Sequence, residues 1–216
     1  MSDRRRPGFR DLPRRMGAAV RAVLLSGGVD SIALTHWQRP EYAITIDYGQ
    51  RAAETELAAA AHVAGLLGVR HEIIRVDCSS LGSGDMAAQP ASVHAPVPEW
   101  WPFRNQLLLT LAGMRATAIG VDELMIGSVA SDGSHADGRP EFYAQVGSLM
   151  AMQEGAIRVT APAVGMSTVE LVQRSGAPRE IIGWAHSCHT GPLACGGCRG
   201  CVKHYEVMRD LYGEPY

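Results

Sequence analysis

The run from Ala22 to Ser31, AVLLSGGVDS, narrows what this chain can fold into more than any other stretch. Ala22-Val23-Leu24-Leu25 has the length and content of a buried strand. Ser26-Gly27-Gly28 interrupts it with residues that tolerate sharp backbone turns. Asp30-Ser31 then opens the apolar segment Ile32-Ala33-Leu34, which reads as a helix start. Strand, glycine turn and helix N-terminus in succession make an anion site. Turn amides point outward and the helix dipole favours negative charge there. A side chain at Gly27 or Gly28 is expected to hold a ligand's oxygens off the backbone. The pattern G-x-x-x-x-G-K-[ST] is absent, so this is not the lysine-bearing phosphate cradle.

The rest of the chain alternates between two periods. Glu41 to Ile46 is a strand candidate that runs into Asp47-Tyr48-Gly49-Gln50. A helix is expected from Ala52 to Leu67, stopped by Gly65 and Gly68, and a third strand from Val69 to Val76. Such alternation predicts a parallel sheet, with ligands beyond the carboxyl ends of its strands. Asp47 and the loop Leu25 to Ser31 both fall there. Asp77 to Pro102, rich in Ser, Gly, Ala and Pro, reads as a lid or a disordered excursion. Trp100-Trp101 at its end would cap a pocket, fill a subunit interface or pack into the core. A long helix is expected from Gln106 to Ile119, with Leu107, Leu108, Leu111 and Met114 on one face. A strand from Asp122 to Gly127 opens into the loop Ser128 to Pro140, which holds Asp132, His135, Asp137 and Arg139. A helix from Glu141 to Gln153, a strand from Ile157 to Ala161 and a helix from Ser167 to Arg174 complete the alternation, with Ser167 as N-cap.

Cys188, Cys195, Cys198 and Cys201 are spaced C-x6-C-x2-C-x2-C, and the glycines among them let the backbone wrap an ion. Four thiolates suit tetrahedral zinc; an iron–sulfur cluster uses the same ligands. His186, His189 and His204 flank the set, but four sulfurs already fill a tetrahedron, so these rings are expected to orient the cluster or face solvent. Cys78 stands apart as a small hydrophobe. Five cysteines without a secretion signal point to metal or thiol chemistry rather than a disulfide framework, and to the cytoplasm. The formal charge of −2 over 216 residues excludes the global basic field of a dedicated nucleic-acid binder. No apolar run is long enough to cross a bilayer. Residues 1–17 are Arg-rich with Pro7 and Pro13, and read as a basic disordered tail.

Ser26-Gly27-Gly28-Val29-Asp30-Ser31 resembles the pyrophosphate loop of ATP pyrophosphatases. Together with Asp47-Tyr48-Gly49-Gln50-Arg51, Pro102-Phe103-Arg104-Asn105, Arg139-Pro140-Glu141-Phe142 and the four cysteines, the chain resembles the 7-cyano-7-deazaguanine synthase (QueC-type) family from about Arg21 to Leu211. The resemblance implies an α/β, Rossmann-like sheet of the adenine nucleotide alpha hydrolase-like kind, with helices on both faces and a small C-terminal zinc segment. The divisions are then 1–17, a nucleotide domain over 18–180, and 181–216 for the cysteines and a last helix.

It also implies an ATP-dependent carbon–nitrogen ligase that uses ATP, Mg²⁺ and Zn²⁺. Such an enzyme adenylates the carboxylate of 7-carboxy-7-deazaguanine and takes it with ammonia to the amide and the nitrile, often as a homodimer. Leu25, Ser26, Gly27, Gly28, Val29, Asp30, Ser31 and Asp47 would hold the nucleotide. Asp30, Ser31 and Arg104 would carry the chemistry, with Asp30 binding Mg²⁺ or orienting the loop. Arg104, Asn105, Asp132 and Arg139 would meet the substrate. Three departures stand out. Thr168 occupies the place of a family lysine, the Ser128 to Arg139 loop lacks the family's tyrosines, and His204 replaces an arginine. They leave room for a paralogue in an anti-phage system that activates a carboxylate for another acceptor, such as a partner protein, and for a binding module without turnover.

Overall fold

The computed structural model describes residues 18–214, so the expected basic tail at 1–17 lies outside the described residues. Five strands form one sheet: β1 (Arg21–Leu24), β2 (Tyr42–Asp47), β3 (Arg70–Arg75), β4 (Glu123–Ile126) and β5 (Arg158–Thr160). Their order is β3-β2-β1-β4-β5 and every neighbouring pair is parallel. The chain steps outward from β1 to β3, then returns to the other side of β1 for β4 and β5. The gap between the carboxyl ends of β1 and β4 is therefore the switch point, where open parallel sheets bind ligands.

Side chains alternate along each strand, and the helices sort accordingly. Val23, Leu25, Ala43 and Met125 face α1 (Val29–Gln38), α2 (Ala53–Leu67), α5 (Thr168–Ser175), α6 (Arg179–Ile182) and α7 (Arg199–Tyr212). Ala22, Leu24, Ile44, Leu124 and Ile126 face α3 (Arg104–Ile119) and α4 (Pro140–Ala151). Helices on both faces over a continuous apolar sheet give the doubly covered α/β layering expected from the alternation. Leu25, Ile32, Leu34, Ile44, Leu109 and Leu124 are fully buried, each stabilising the fold by about 1.5–3 kcal/mol relative to exposure.

Three local readings change. Helix α2 runs through Gly65 and stops only at Gly68, whose φ of +67° caps it in the left-handed region. On α3, Leu107, Leu108 and Leu111 pack half-buried against the core, but the fully buried stripe is Leu109, Ala112, Gly113 and Ala116, and Met114 is 68% exposed. Small residues win that face because α3 lies close to its neighbours: a Cβ on Gly113 would sit 2.5 Å from Met150 Cε. The stretch after β3 packs onto the sheet edge rather than running free. It carries short turns of 3-10 helix at Ser79–Leu81 and Gly84–Met86, and its Trp101 is buried edge-on against Tyr48, with ring centroids 4.8 Å apart. Ser167 caps α5 as expected: its Oγ accepts from the Glu170 amide at 3.2 Å, and Glu170 Oε2 accepts from the Ser167 amide at 2.7 Å.

Candidate active site

A cavity of about 710 Å³ opens beyond the carboxyl ends of β1, β2 and β4. Leu25, Ser26, Gly28, Val29, Asp30 and Ser31 line it. The loop braces itself: Ser31 Oγ donates to the Gly28 carbonyl at 3.0 Å and lies 3.1 Å from Ser26 Oγ. The amides of Val29, Asp30 and Ser31 stand in the first turn of α1, which has no intrahelical acceptors to offer them.

The two glycines do different work. Gly28 has extended backbone, and a Cβ there would make only ordinary contacts of 3.6 and 3.8 Å on the cavity side. Gly27 adopts φ +81°, and its Cβ would meet the Glu56 carbonyl of α2 at 2.7 Å, behind the loop. Only Gly28 therefore keeps the cavity open; Gly27 lets the loop lie flat on α2. The Gly27 carbonyl in turn accepts from the His186 amide at 2.9 Å, which ties the loop to the segment before the cysteines.

Asp30 is the loop's charged member. Its Oδ2 accepts from Lys203 Nζ at 2.9 Å, and the same ammonium lies 3.7 Å from Asp132 Oδ1. Burial holds the Asp30 carboxyl above its usual range, although Lys203 and, at longer reach, Thr168 pull the other way. Asp30 Oδ1 and Thr168 Oγ1 are both buried and make no close hydrogen bond among the described residues, although the Thr168 hydroxyl interacts with the Asp30 carboxylate. Buried polar atoms are normally satisfied, and here a carboxylate oxygen on the cavity wall is only weakly engaged.

Arg104 and Asn105 open α3 and line the opposite wall. Arg104 reaches among Tyr48, Asp137, Asp132 and Glu56, with Nη1 3.2 Å from Met86 Sδ. Asn105 Nδ2 donates to the Asp137 carbonyl at 2.8 Å and to Tyr143 Oη at 3.3 Å, so this side chain fastens α3 to the loop after β4. Burial pushes the Tyr143 phenol up to about 12. Glu56 is buried as well, which raises its carboxyl, and Gln50 Nε2 donates to it at 2.8 Å. Asp132 lines the cavity and caps its own turn, its Oδ2 accepting from the Val129 amide at 3.1 Å. Arg139 and Asp47 lie outside the cavity wall. Arg139 Nε braces the loop by donating to the Gly133 carbonyl at 3.0 Å, and Asp47 Oδ1 accepts from the Gly49 amide at 3.0 Å.

The four cysteine sulfurs lie within 4.8 Å of one another. Zinc with Zn–S bonds of about 2.3 Å needs sulfurs about 3.8 Å apart, and Cys195 and Cys201 are already at 4.0 Å. Amides of His189 and Cys201 donate to Cys198 Sγ, each at 3.4 Å, and the Cys198 amide donates to Cys195 Sγ at 3.3 Å. Such amides favour thiolates. Hydrogen bonds from Thr190 and from the amides of Gly197 and Cys198 pull Cys195 down to about 6. His189 and Ser187 line the cavity as well, so the cysteine segment forms part of its wall.

Lys203, Glu99 and Arg199 escape the sequence reading. Arg199 Nη1 donates to the buried Glu99 at 2.8 Å, with His135 Nε2 at 3.9 Å from the same oxygen, so α7, the loop after β4 and the tryptophan segment meet at one carboxylate. No motif marks these positions. Lys203 lies two residues past a cysteine, and only the docking of α7 brings it to Asp30, 173 positions away.

A family model described as queuosine biosynthesis protein QueC matches residues 20–210. Among curated relatives, a 7-cyano-7-deazaguanine synthase from Ralstonia nicotianae is 36% identical, over 83% of this chain and 89% of its own length. One from Desulforudis audaxviator is 32% identical over 88% and 97%. One from Methanosarcina mazei is 26% identical over 88% and 93%. With the loop, the cavity and the cysteines on one parallel sheet, the chain belongs to the QueC family.

Proposed function

We propose that this chain is an ATP-dependent carbon–nitrogen ligase of the 7-cyano-7-deazaguanine synthase kind, acting on a 7-carboxy-7-deazaguanine-like acid and ammonia. The observation that carries the reading is the loop at the switch point, where the first-turn amides of α1 have no intrahelical acceptors and the buried Asp30 Oδ1 is only weakly engaged. Backbone amides of Gly28 to Ser31 suit a triphosphate, and a weakly engaged carboxylate oxygen suits its Mg²⁺. The names of the relatives supply the substrate class.

A carboxylate is a poor electrophile. Its oxygen attacks the α-phosphorus of ATP, pyrophosphate leaves, and the acyl adenylate forms. Ammonia then displaces AMP to give the amide. A second ATP activates the amide oxygen in the same way, and loss of AMP with the amide protons gives the nitrile. In this scheme the loop amides stabilise the charge that builds on the departing pyrophosphate. Arg104 holds the substrate carboxylate or a phosphate from the opposite wall. Asn105, Asp132 and Arg139 keep the loop after β4 in place around it. When bound, zinc at Cys188, Cys195, Cys198 and Cys201 contributes on the order of 10 kcal/mol of folding energy to its segment. The reading carries residues 18–180 as the nucleotide domain and 181–216 as the metal segment, in a cytoplasmic homodimer.

The test is incubation with ATP, ammonia and 7-carboxy-7-deazaguanine, read by mass spectrometry. Conversion of the acid to the nitrile, lost in Asp30→Ala, is expected. Zinc-loaded protein that binds ATP but leaves the acid unchanged refutes the substrate assignment and favours a different acceptor.

A further inference from the structure

Lys203 is the single lysine of the 216-residue chain; the remainder of its twenty Lys and Arg residues are arginine. Lysine is ordinarily among the commonest residues. The chain thus keeps an ammonium at one position and uses guanidinium at every other. That position is the cavity wall beside Ser26 to Ser31, with Nζ 2.9 Å from Asp30 and 3.7 Å from Asp132 and the side chain 35% exposed.

The surroundings call for a cation. The loop from Ser26 to Ser31 has none of its own and contributes Asp30. Asp132 adds a second carboxylate on the same side. A triphosphate entering here would meet two like charges. Arg199 is committed to Glu99 at 2.8 Å and to Ser134 Oγ at 3.2 Å. Arg104 belongs to the opposite wall, beside Met86. The compact ammonium, with three rotatable donors, can turn from a carboxylate to a phosphate oxygen. A rigid guanidinium fork favours staying on the carboxylate.

We propose that Lys203 is the phosphate-binding cation of the nucleotide site: held on Asp30 when the site is empty of nucleotide, it turns to the β- and γ-phosphate oxygens when ATP binds and stays on them as they leave as pyrophosphate, leaving Asp30 to the magnesium ion. The proposal rests on the ATP-binding reading above. It also gives the cysteines a second task. Cys198 caps α7, its sulfur accepting from the Cys201 amide at 3.4 Å, and Gly200 packs against the Ser187 carbonyl and the His189 ring. The turn that projects Lys203 is therefore set by the metal ligands, and its distance to the loop depends on them.

The test uses the full zinc-loaded chain. Calorimetric titration of Mg·ATP, Mg·pyrophosphate and AMP compares the native protein with Lys203→Met. ATP and pyrophosphate are expected to weaken by about 10–100-fold, the loss of one charge-assisted contact, with AMP changed less than about twofold. Equal losses for AMP and pyrophosphate, or none, overturn the proposal. Native protein that binds no ATP overturns the nucleotide reading and this inference with it. If Lys203→Met does not fold, the native chain decides. The lone lysine is acylated by an amine-reactive ester and read by peptide mass. Protection by Mg·pyrophosphate but not by AMP supports the assignment; labelling that pyrophosphate leaves unchanged overturns it.

Discussion

Substituting alanine at each of the two adjacent loop glycines separates folding from binding. Gly27→Ala places a Cβ at φ +81°, which costs about 1–2 kcal/mol for an L-residue. The same Cβ lies 2.7 Å from the Glu56 carbonyl, a backbone atom of α2 that cannot rotate away. Relieving that overlap adds about 1–3 kcal/mol, for a total of about 2–5 kcal/mol. In a chain of this size that lowers the melting temperature by about 5–15 °C. Gly28→Ala keeps φ −82° and meets nothing closer than 3.6 Å, so its cost stays within about 1 kcal/mol. Its methyl, however, enters the cavity where phosphate oxygens would approach the amides. The assay is a thermal melt of the zinc-loaded variants beside an ATP titration. Gly27→Ala is expected to lose stability, and Gly28→Ala to lose ATP affinity at nearly native stability. A Gly28→Ala protein that melts earlier than Gly27→Ala, or that binds ATP as the native chain does, refutes the reasoning.

Other expectations follow from single residues. Phe103 is 77% exposed at φ +55°, so Phe103→Gly is expected to relieve backbone strain and stabilise by about 1 kcal/mol, read as a small rise in melting temperature. Burial raises the Glu56 carboxyl above its ordinary 4.5. The stability linked to its protonated form is complete below that value and lost as pH rises through the folded-state value. Glu56→Gln is expected to flatten that fall in urea melts taken at a series of pH values; an unchanged slope counts against it. Cys198→Ala removes the cap of α7, the acceptor of two amides and one sulfur of the cluster. It is expected to reduce helical circular dichroism and bound zinc together, as a chelator does; full helicity without metal would show that the segment folds unaided.

How much of this was legible in the sequence depended on whether the cause was local. Strand, turn and helix around Ser26 to Ser31 were readable because each rests on residues next to one another. So was the Ser167 cap, a four-residue pattern, and so was the cysteine set, since ligand spacing is itself short-range. The buried face of α3 was legible only in part. Leu107, Leu108 and Leu111 do pack against the core, but Met114 is exposed, and Ala112, Gly113 and Ala116 lie deeper because Met150 crowds Gly113. The separate duties of Gly27 and Gly28 are invisible in two identical letters, because they depend on whether α2 or the cavity lies beyond each missing Cβ. Lys203 and Glu99 were missed for the same reason: their partners are 173 and 100 positions away in the chain.

The hydrogen bond from the His186 amide to the Gly27 carbonyl has a consequence for biosynthesis. The loop emerges from the ribosome well before His186, whose amide braces it, is made. Ile182, Val207 and Met208 fill the same apolar layer as Val23 and Leu25, so β1 waits for the later α7 to seal it. A nascent chain short of α7 would therefore leave that apolar layer uncovered.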